Sequence, residues 1–585
     1  MTHSNPTFIP GKDKALEDSL IFMQSQLSRL GFNVQPVSWL NPLPHVWSVH
    51  VQDQNCPHCF TNGKGASKEA ALVSALGEFF ERLATNYFWA DYWLAEGADT
   101  LGFVHYPDEI WVLIEQENQK LIEAPVLLDD YTREVYDAEA QIYLNDLIDI
   151  NTGQKERGVC ALPFIRQSDQ TSVYFPVNLI GNLYVSNGMS AGNTPAEAQV
   201  QALSEIFERA IKNRILAEGI RLPKIPEQVL KRYPKIYQGI QALKEAGFTL
   251  FVQDASLGGH FPVINISLLN PRDGGCFASF GAHPLFEVAL ERTLTELVQG
   301  RALDALDGFP APSLDMAQVA DEHNLETHFI DSSGLVSWHL IADAEDYDYC
   351  AWNFSGETRA QRDHLLERLH DLGYQVYIAE YQHLGVYACR ILVPGFSEIY
   401  PIDELQWHNN NQSVPVRDAI LQLAHLQEET LHELQDTLDA LEIDDQQKVA
   451  AWLGIASASG SQWQTWRLGE LGACLALATG DWVRALAFLD NVLLFDHLDH
   501  KRKRQYQVLQ SLLSMLVEGL EPESFHTSLH AYYGTGLVQQ ALGWIEGEGL
   551  FDALIPEQPA THMSAHQALL NAYQKVQAAK AAVHT

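Results

Sequence analysis

Basic residues are scarce in this chain. Lys and Arg number 37 among 585 residues, against 75 Asp and Glu, for a formal net charge of −38. Such a surface repels phosphate backbones, which argues against direct nucleic-acid binding and favours a basic peptide or protein as partner; the same charge also keeps a chain soluble. Cysteines are few, seven and thinly spread, and the opening residues Met1-Thr2-His3-Ser4-Asn5-Pro6 show no basic-then-apolar signal pattern. No apolar run approaches the ~18 residues of a membrane span. The expectation is a cytoplasmic protein with reduced thiols, off the membrane. A phosphate loop of the form Gly-x-x-x-x-Gly-Lys-Ser/Thr is missing, and Gly534-Thr535-Gly536 lacks the third glycine and the preceding strand of a dinucleotide fingerprint.

What is present fits a soluble globular chain, 46% hydrophobic and 19% charged. Residues 1–405 mix strand and helix patterns. Val173–Ile180, Phe261–Leu268, Val376–Ala379 and Val386–Val393 read as strands, and amphipathic helices are expected near 68–90, 195–217 and 285–302. This predicts an α+β domain. After Trp407–Ser413 strand signals vanish and helices follow to the end, so a second, all-α domain is expected over 413–585. There, Leu468–Leu477, the turn Gly480-Asp481-Trp482 and Ala485–Leu489 form a helix–turn–helix that resembles one tetratricopeptide unit; a generic helical bundle is the alternative.

The most informative feature is a duplication. Ala75-Leu76-Gly77-Glu78-Phe79-Phe80-Glu81-Arg82 leads to Asn86, and Ala202-Leu203-Ser204-Glu205-Ile206-Phe207-Glu208-Arg209 leads to Asn213. On the first helix Leu72, Leu76, Phe79, Phe80 and Leu83 form the buried stripe, and Ser74, Glu78, Glu81 and Thr85 share another face. On the second, Glu197, Gln201, Ser204, Glu205 and Glu208 fall within roughly 100° of arc, and on a third Arg292, Glu296 and Gln299 fall within about 60°. A solvated acidic face is the ordinary reading of one such helix. However, no Lys interrupts Ser74–Thr85, and carboxylates gathered from three helices repel unless cations stand between them. Magnesium, shared with substrate phosphates, is the natural partner, with Arg209 and Arg292 able to clamp phosphate oxygens. The runs Asn62–Ser67 and Ser186–Asn193 are read as small-residue loops offering N–H groups to an anion, with ordinary helix capping by Thr194 and Pro195 as the alternative.

These residues resemble the YcaO family. Its marks read here as Ser74–Glu78–Glu81–Arg82, Glu197–Gln201–Glu205–Glu208–Arg209 and Arg292–Glu296–Gln299, and the likeness extends through Phe8–Lys12, Ser186–Asn193, Asp254–Gly259 and Phe280–Pro284. The resemblance implies a YcaO-type catalytic domain of mixed sheets and helices binding ATP and Mg2+. Glu78, Glu81, Glu197, Glu205, Glu208 and Glu296 would face the metal. Lys12, Ser19, Ser74, Arg82, Ser190, Asn193, Gln201, Arg209, Arg292 and Gln299 would hold the nucleotide. In relatives ATP phosphorylates a backbone amide oxygen, which a nucleophile then displaces as phosphate. The resemblance further implies an accessory role in β-methylthiolation of small-subunit ribosomal protein S12, with a peptide or ribosomal-protein substrate and a radical methylthiotransferase as partner. Azoline-forming relatives often end in a Pro-rich tail. This chain ends Ala581-Ala582-Val583-His584-Thr585 with Pro559 its last proline, which points away from azolines. A nucleotide-binding adaptor without catalysis, or an azoline- or thioamide-forming enzyme, is the alternative.

Cys56-Pro57-His58-Cys59 has metal-like spacing but no second pair, so two partly exposed thiols near a turn are expected. His328, Asp331 and Ser332 have no nucleophile elbow beside them. The helical tail is expected to carry a homodimer contact. A chain ending near Ser413 should then lose the dimer and keep ATP binding; a tail sharing one core with the first domain is the competing expectation.

Overall fold

The structure is a computed structural model, and it describes residues 6–94, 100–116, 118–152, 156–401, 410–495, 497–551 and 563–584. The expected boundary at residue 405 and the last proline, Pro559, lie outside the described residues.

The chain begins with α1 (Leu16–Arg29) and an antiparallel meander of β1 (Val34–Leu43), β2 (Val46–Asp53) and β3 (Cys56–Gly65). Next comes α2 (Lys68–Ala84), whose N-cap Ser67 hydroxyl accepts from the Ala70 N–H at 3.1 Å. β4 (Ile110–Val112), β5 (Val159–Arg166), β6 (Ser172–Pro176) and β7 (Met189–Gly192) precede α3 (Pro195–Glu218), capped by Thr194 with Pro195 in its first turn. A second meander of β8 (Thr249–Asp254), β9 (Val263–Leu269) and β10 (Cys276–Ala282) leads into α4 (Phe286–Leu297). β11 (Tyr377–Tyr381) and β12 (Tyr387–Leu392) close a six-stranded sheet of order β4-β5-β11-β12-β7, with β6 against β5. Every one of these strand pairs is antiparallel.

The six-stranded sheet is covered on both faces. Leu76, Phe79, Phe80 and Leu83 of α2 share a core with Phe164, Phe175, Tyr377 and Ala388. Leu203, Ile206 and Phe207 of α3 pack between Ile378, Cys389 and Ile391 of that sheet and Val263, Ala278 and Phe280 of the second meander. Leu290, Leu294 and Leu297 of α4 bury against Ile264, Ile266 and Phe277.

Three expectations change. Asn62–Gly65 is the end of β3, not a loop, and α2 lies directly on it. A Cβ on Gly63 would stand 2.1 Å from the Ala71 carbonyl oxygen, so the glycine serves close packing of strand and helix. Val173–Ile180 stays a strand only to Pro176, after which the backbone turns helical. The helix expected over 285–302 stops at Leu297, and Gln299 lies in the turn beyond it, followed by Gly300 at φ 69°. The duplicated pattern also ends differently in its two copies. Asn86 stands past the end of α2 at φ 61°, whereas Asn213 lies inside α3.

In the C-terminal region α5 (Leu468–Ala478) and α6 (Trp482–Leu494) form the expected hairpin, turning at Gly480 with Asp481 accepting from the Arg484 N–H at 3.0 Å. α7 (His500–Val517) packs on α6, with Leu509, Leu512 and Leu513 in the shared core. The last helix, α8 (Ser564–His584), does not stay with its neighbours in sequence. Leu569, Tyr573 and Val576 enter the core that holds α2. Trp89 donates to the Leu569 carbonyl at 3.1 Å, the Tyr573 hydroxyl donates to the Val104 carbonyl at 2.6 Å, and Lys580 Nζ donates to Asn86 Oδ1 at 2.7 Å and to the His105 carbonyl at 2.6 Å. The last helix of the tail therefore shares a core with the first region.

Candidate functional site

Three times a strand runs into a helix that lies back upon it: β3 into α2, β7 into α3, and β10 into α4. The repeat brings three acidic helix faces together. On α2, Arg82 reaches Glu78 at 3.2 Å and Glu81 at 3.6 Å, and its guanidinium lies 4.3 Å over the Tyr87 ring. On α3, Arg209 pairs with Glu205 at 2.7 Å. Arg292 of α4 donates to Gln201 of α3, and Lys64 at the end of β3 pairs with Glu296 of α4. Glu208 accepts from the Ala282 N–H at 3.3 Å.

The electrostatics show how closely these groups crowd. Burial pushes Glu81 up to about 8; Arg82 and Arg209 oppose the shift, and Glu205 and Glu78 add to it. Burial and Arg292 bring Lys64 down to about 8 against the pull of Glu208, Glu78 and Glu205. Burial acts to lower Arg82, but Glu81 and Glu78 outweigh it and hold the guanidinium above its usual range.

Beside this cluster Glu197 is buried and enclosed. Lys12 stands 3.3 Å away, the Asp13 N–H donates at 2.9 Å, and Asn193 donates to both its oxygens at 3.1 and 3.0 Å. Ser19 donates to Asn193 Oδ1 at 3.0 Å. Burial alone would raise Glu197; Lys12, Asp13 and Asn193 together hold it below the usual carboxylate range. His283, buried next to Lys12 and Arg292, is driven well below its ordinary pKa by burial first and by those cations second, so it stands neutral.

Most of the expected residues therefore meet: Lys12, Ser19, Asn193 and Glu197 in one group, and Glu78, Glu81, Arg82, Gln201, Glu205, Glu208, Arg209, Arg292 and Glu296 in the other. Ser190 is buried on β7, its hydroxyl 3.5 Å from the Ala191 carbonyl oxygen. Ser74 is exposed one turn before Glu78, and neither its side chain nor that of Gln299 bonds to the cluster. Lys64, Asp13 and His283 belong to the site without having been assigned to it. Lys64 had a visible signal, a lone cation between two glycines beside an acidic helix.

Among the described residues no three Asp, Glu, His or Cys side chains stand together in metal-ligating geometry. Each carboxylate instead meets an internal cation or N–H donor. The cations are not equally content. Arg82 Nη1, Arg209 Nη1 and Arg292 Nε are buried and bond to nothing. Buried donors of this kind are costly unless a ligand completes them. A polyanion bridged by divalent cations to the surrounding carboxylates fits this set. Cys56 and Cys59, by contrast, are both buried, their sulfurs 3.7 Å apart, rather than partly exposed; their place at the turn of the β2–β3 hairpin under α8 covers them.

Fold and site thus define a protein that gathers three acidic helix faces around three incompletely bonded arginines, with no phosphate loop in its sequence. Residues 62–397 match the family described as YcaO cyclodehydratase, ATP- and Mg2+-binding, and residues 413–582 match the YcaO cyclodehydratase C-terminal domain. The chain belongs to the YcaO family, and ATP with Mg2+ is its cofactor set. It is 51% identical over 582 residues, 98% of this chain and 99% of the relative, to a protein of Escherichia coli K12 named ribosomal protein S12 methylthiotransferase accessory factor YcaO. It is 47% identical over 581 residues, 98% of each chain, to an uncharacterized protein of Haemophilus influenzae. Among solved structures it is similar to YcaO from Methanopyrus kandleri bound with AMPPCP and Mg2+, at 16% identity and a TM-score of 0.41 over 66% of this chain and 92% of that one.

Proposed function

We propose that this chain uses ATP and Mg2+ to activate a backbone amide of a protein substrate, as an accessory factor in β-methylthiolation of ribosomal protein S12. The near full-length E. coli relative named for that role supports the substrate. The observation that carries the site is the set of three buried, unbonded guanidinium nitrogens on Arg82, Arg209 and Arg292 within a wall of glutamates. Bound ATP supplies the phosphoryl group that makes the amide oxygen a leaving group, and Mg2+ neutralises its phosphates. Glu78, Glu81, Glu205, Glu208 and Glu296 would hold the metal ions, with Glu197 at the second group. Arg82, Arg209, Arg292, Lys12 and Lys64 would meet the phosphates, while Ser19, Asn193 and Gln201 orient these charges through the hydrogen bonds already formed. Ser74, Ser190 and Gln299 are the outermost nucleotide candidates.

In this reading residues 1–405 form the catalytic domain, and 413–585 a tetratricopeptide-like region that joins two copies and meets a radical methylthiotransferase in the cytoplasm. Val483 and Leu494 on α6 and Phe495 just past its end are exposed at 66%, 79% and 47%, a surface suited to such contacts. The test is Glu78→Gln and Glu205→Gln in the full chain, with mass spectrometry of S12 from a strain lacking the gene. Both variants should lose Mg2+-dependent ATP turnover at native circular dichroism, and S12 should lack its methylthio group. Wild-type turnover in both variants, or normally modified S12, would sink the proposal. Nucleotide binding without turnover under any partner would leave the adaptor reading.

A further inference from the structure

A cleft of about 650 Å³ lies apart from the carboxylate cluster. It opens within the six-stranded sheet, where β5 and β11 part. The two strands pair at Tyr377 with Arg166 and at Ile378 with Ile165, and Gln167 donates to the Val376 carbonyl at 2.8 Å. Bonded positions alternate along an antiparallel ladder, so from Val376–Gln167 the next bonded pairs are Ile378–Ile165 and then Glu380 with residue 163. Residue 163 is proline, which has no N–H to give the Glu380 carbonyl. The ladder stops there, two residues before β4 takes the same edge of β5 through Ile110 with Ala161, and Leu162, Pro163, Glu380 and Tyr381 become walls of the cleft. On its other side β11 stays paired with β12 along its whole length, through Tyr381 with Ala388. The register thus turns the Glu380 backbone N–H and carbonyl away from β12 and into the opening.

We propose that this cleft binds an extended, basic polypeptide segment, which adds as a strand along β11 at Glu380. A free N–H and C=O on a strand edge is the pattern that recognises another extended backbone. The other cleft groups suit a peptide as well. Gln167, Gln170 and Gln382 offer amide donors and acceptors, and Tyr174 offers a flat apolar face. The carboxylates of Asp108 and Glu380 stand in the wall with two cations that are engaged elsewhere, Lys580 by Asn86 Oδ1 and the His105 carbonyl and Arg362 by Asp363, so in a chain of net charge −38 the wall favours a basic segment. Glu380 is preset, because its Oε1 accepts from Gln199 Nε2 at 3.1 Å and from the Tyr387 hydroxyl. From β11 to β7, which carries Ser190, is two strand spacings, or about 10 Å, which an extended chain covers in about three residues. The inference rests on the reading that the substrate is a polypeptide, and its test is a binding measurement made without ATP.

The probe is a fluorescein-labelled dodecapeptide of alternating Lys and Val, followed by anisotropy on the full-length protein. Two comparisons separate strand addition from general attraction to an acidic surface. The first is the same peptide N-methylated at alternate residues, which retains its charge and cannot complete the ladder. The second is Pro163→Val, which supplies the missing N–H and lets β5 close on Glu380. Each should weaken binding by about tenfold, the scale of one or two main-chain hydrogen bonds, and Pro163→Val should leave Tm unchanged or raised. An Asp108→Lys variant should weaken the Lys peptide and strengthen a Glu-Val peptide, with ATP titrations unaltered in both proteins. Equal binding of the parent and N-methylated peptides, or full binding by a folded Pro163→Val, overturns strand addition. Loss of ATP turnover with intact peptide binding would count against the proposed activity and leave the cleft standing.

Discussion

Glutamate and arginine are buried together in two parts of this molecule, with opposite outcomes. In the C-terminal region Glu470 is fully buried, and its carboxylate accepts from Arg502 Nε at 3.0 Å, from the Tyr506 hydroxyl at 2.7 Å and from the Arg467 N–H at 3.1 Å. Arg502 Nη1 donates to Thr465 at 2.8 Å, so all three nitrogens of this guanidinium are bonded, and the unbonded nitrogens there belong to neighbours, Arg467 Nε and the His497 ring. Among α2, α3 and α4 the same residue types crowd together, yet each of the three arginines keeps a buried nitrogen without a partner, and Glu81 is driven up to about 8 mainly by burial. A buried Glu–Arg pair is therefore not itself a sign of function. What separates the two places is whether the arginine that faces the glutamate is itself fully bonded without a ligand.

The comparison can be broken at several levels. The largest effect should come from removing α8. A chain ended near residue 413 loses Leu569, Tyr573 and Val576 from the core shared with Phe79 and Phe80, together with the Lys580 contact to Asn86 at the end of α2. It should be insoluble or molten; a soluble, ATP-binding truncation by light scattering and titration would show that the tail is dispensable to the site. Next is Arg502→Ala, which strands a buried Glu470 and should cost about 3–5 kcal/mol of unfolding free energy without altering ATP affinity. Arg292→Ala should do the reverse, weakening ATP by about 1.5–3 kcal/mol at nearly native stability. Urea melts and ATP titrations on both variants check the contrast, and matching profiles would erase the distinction drawn above.

The smallest effect is a pH dependence. Burial takes His566 from its usual 6.5 down to about 4, and its Nδ1 accepts from the Ala456 N–H at 3.1 Å. Between those values the folded chain binds fewer protons than the unfolded one. This contribution to stability is therefore present above pH 6.5 and is lost as pH falls towards 4. A His566→Gln variant should lose about 2 kcal/mol less than wild type between pH 7 and pH 5. Parallel acid curves would show that the imidazole does not titrate in this way.

Local pattern was enough for much of the molecule. The acidic faces of α2 and α3 follow from apolar spacing and from the absence of Lys between Ser74 and Thr85, because side-chain direction on a helix is fixed by its period. The α5–α6 hairpin follows from Gly480 and Asp481 in the same way. Local pattern failed where a neighbour decides the outcome. Asn62–Ser67 looks like a loop in isolation, and only the helix lying on Gly63 explains its glycines. Gln299 continues the spacing of α4 on paper, yet the helix ends at Leu297.

The sequence by itself determined which residues carry charge on which helix, because that depends on residue type and on a period of a few positions. Tertiary structure alone decided which of those charges meet. It set Lys64 against Glu296 and His283 between Lys12 and Arg292. It carried Trp89 to Leu569 across 480 positions and opened the sheet opposite Pro163. Such contacts join segments far apart in the chain, and their partners are chosen by how whole sheets and helices pack, information that no short stretch of residues contains.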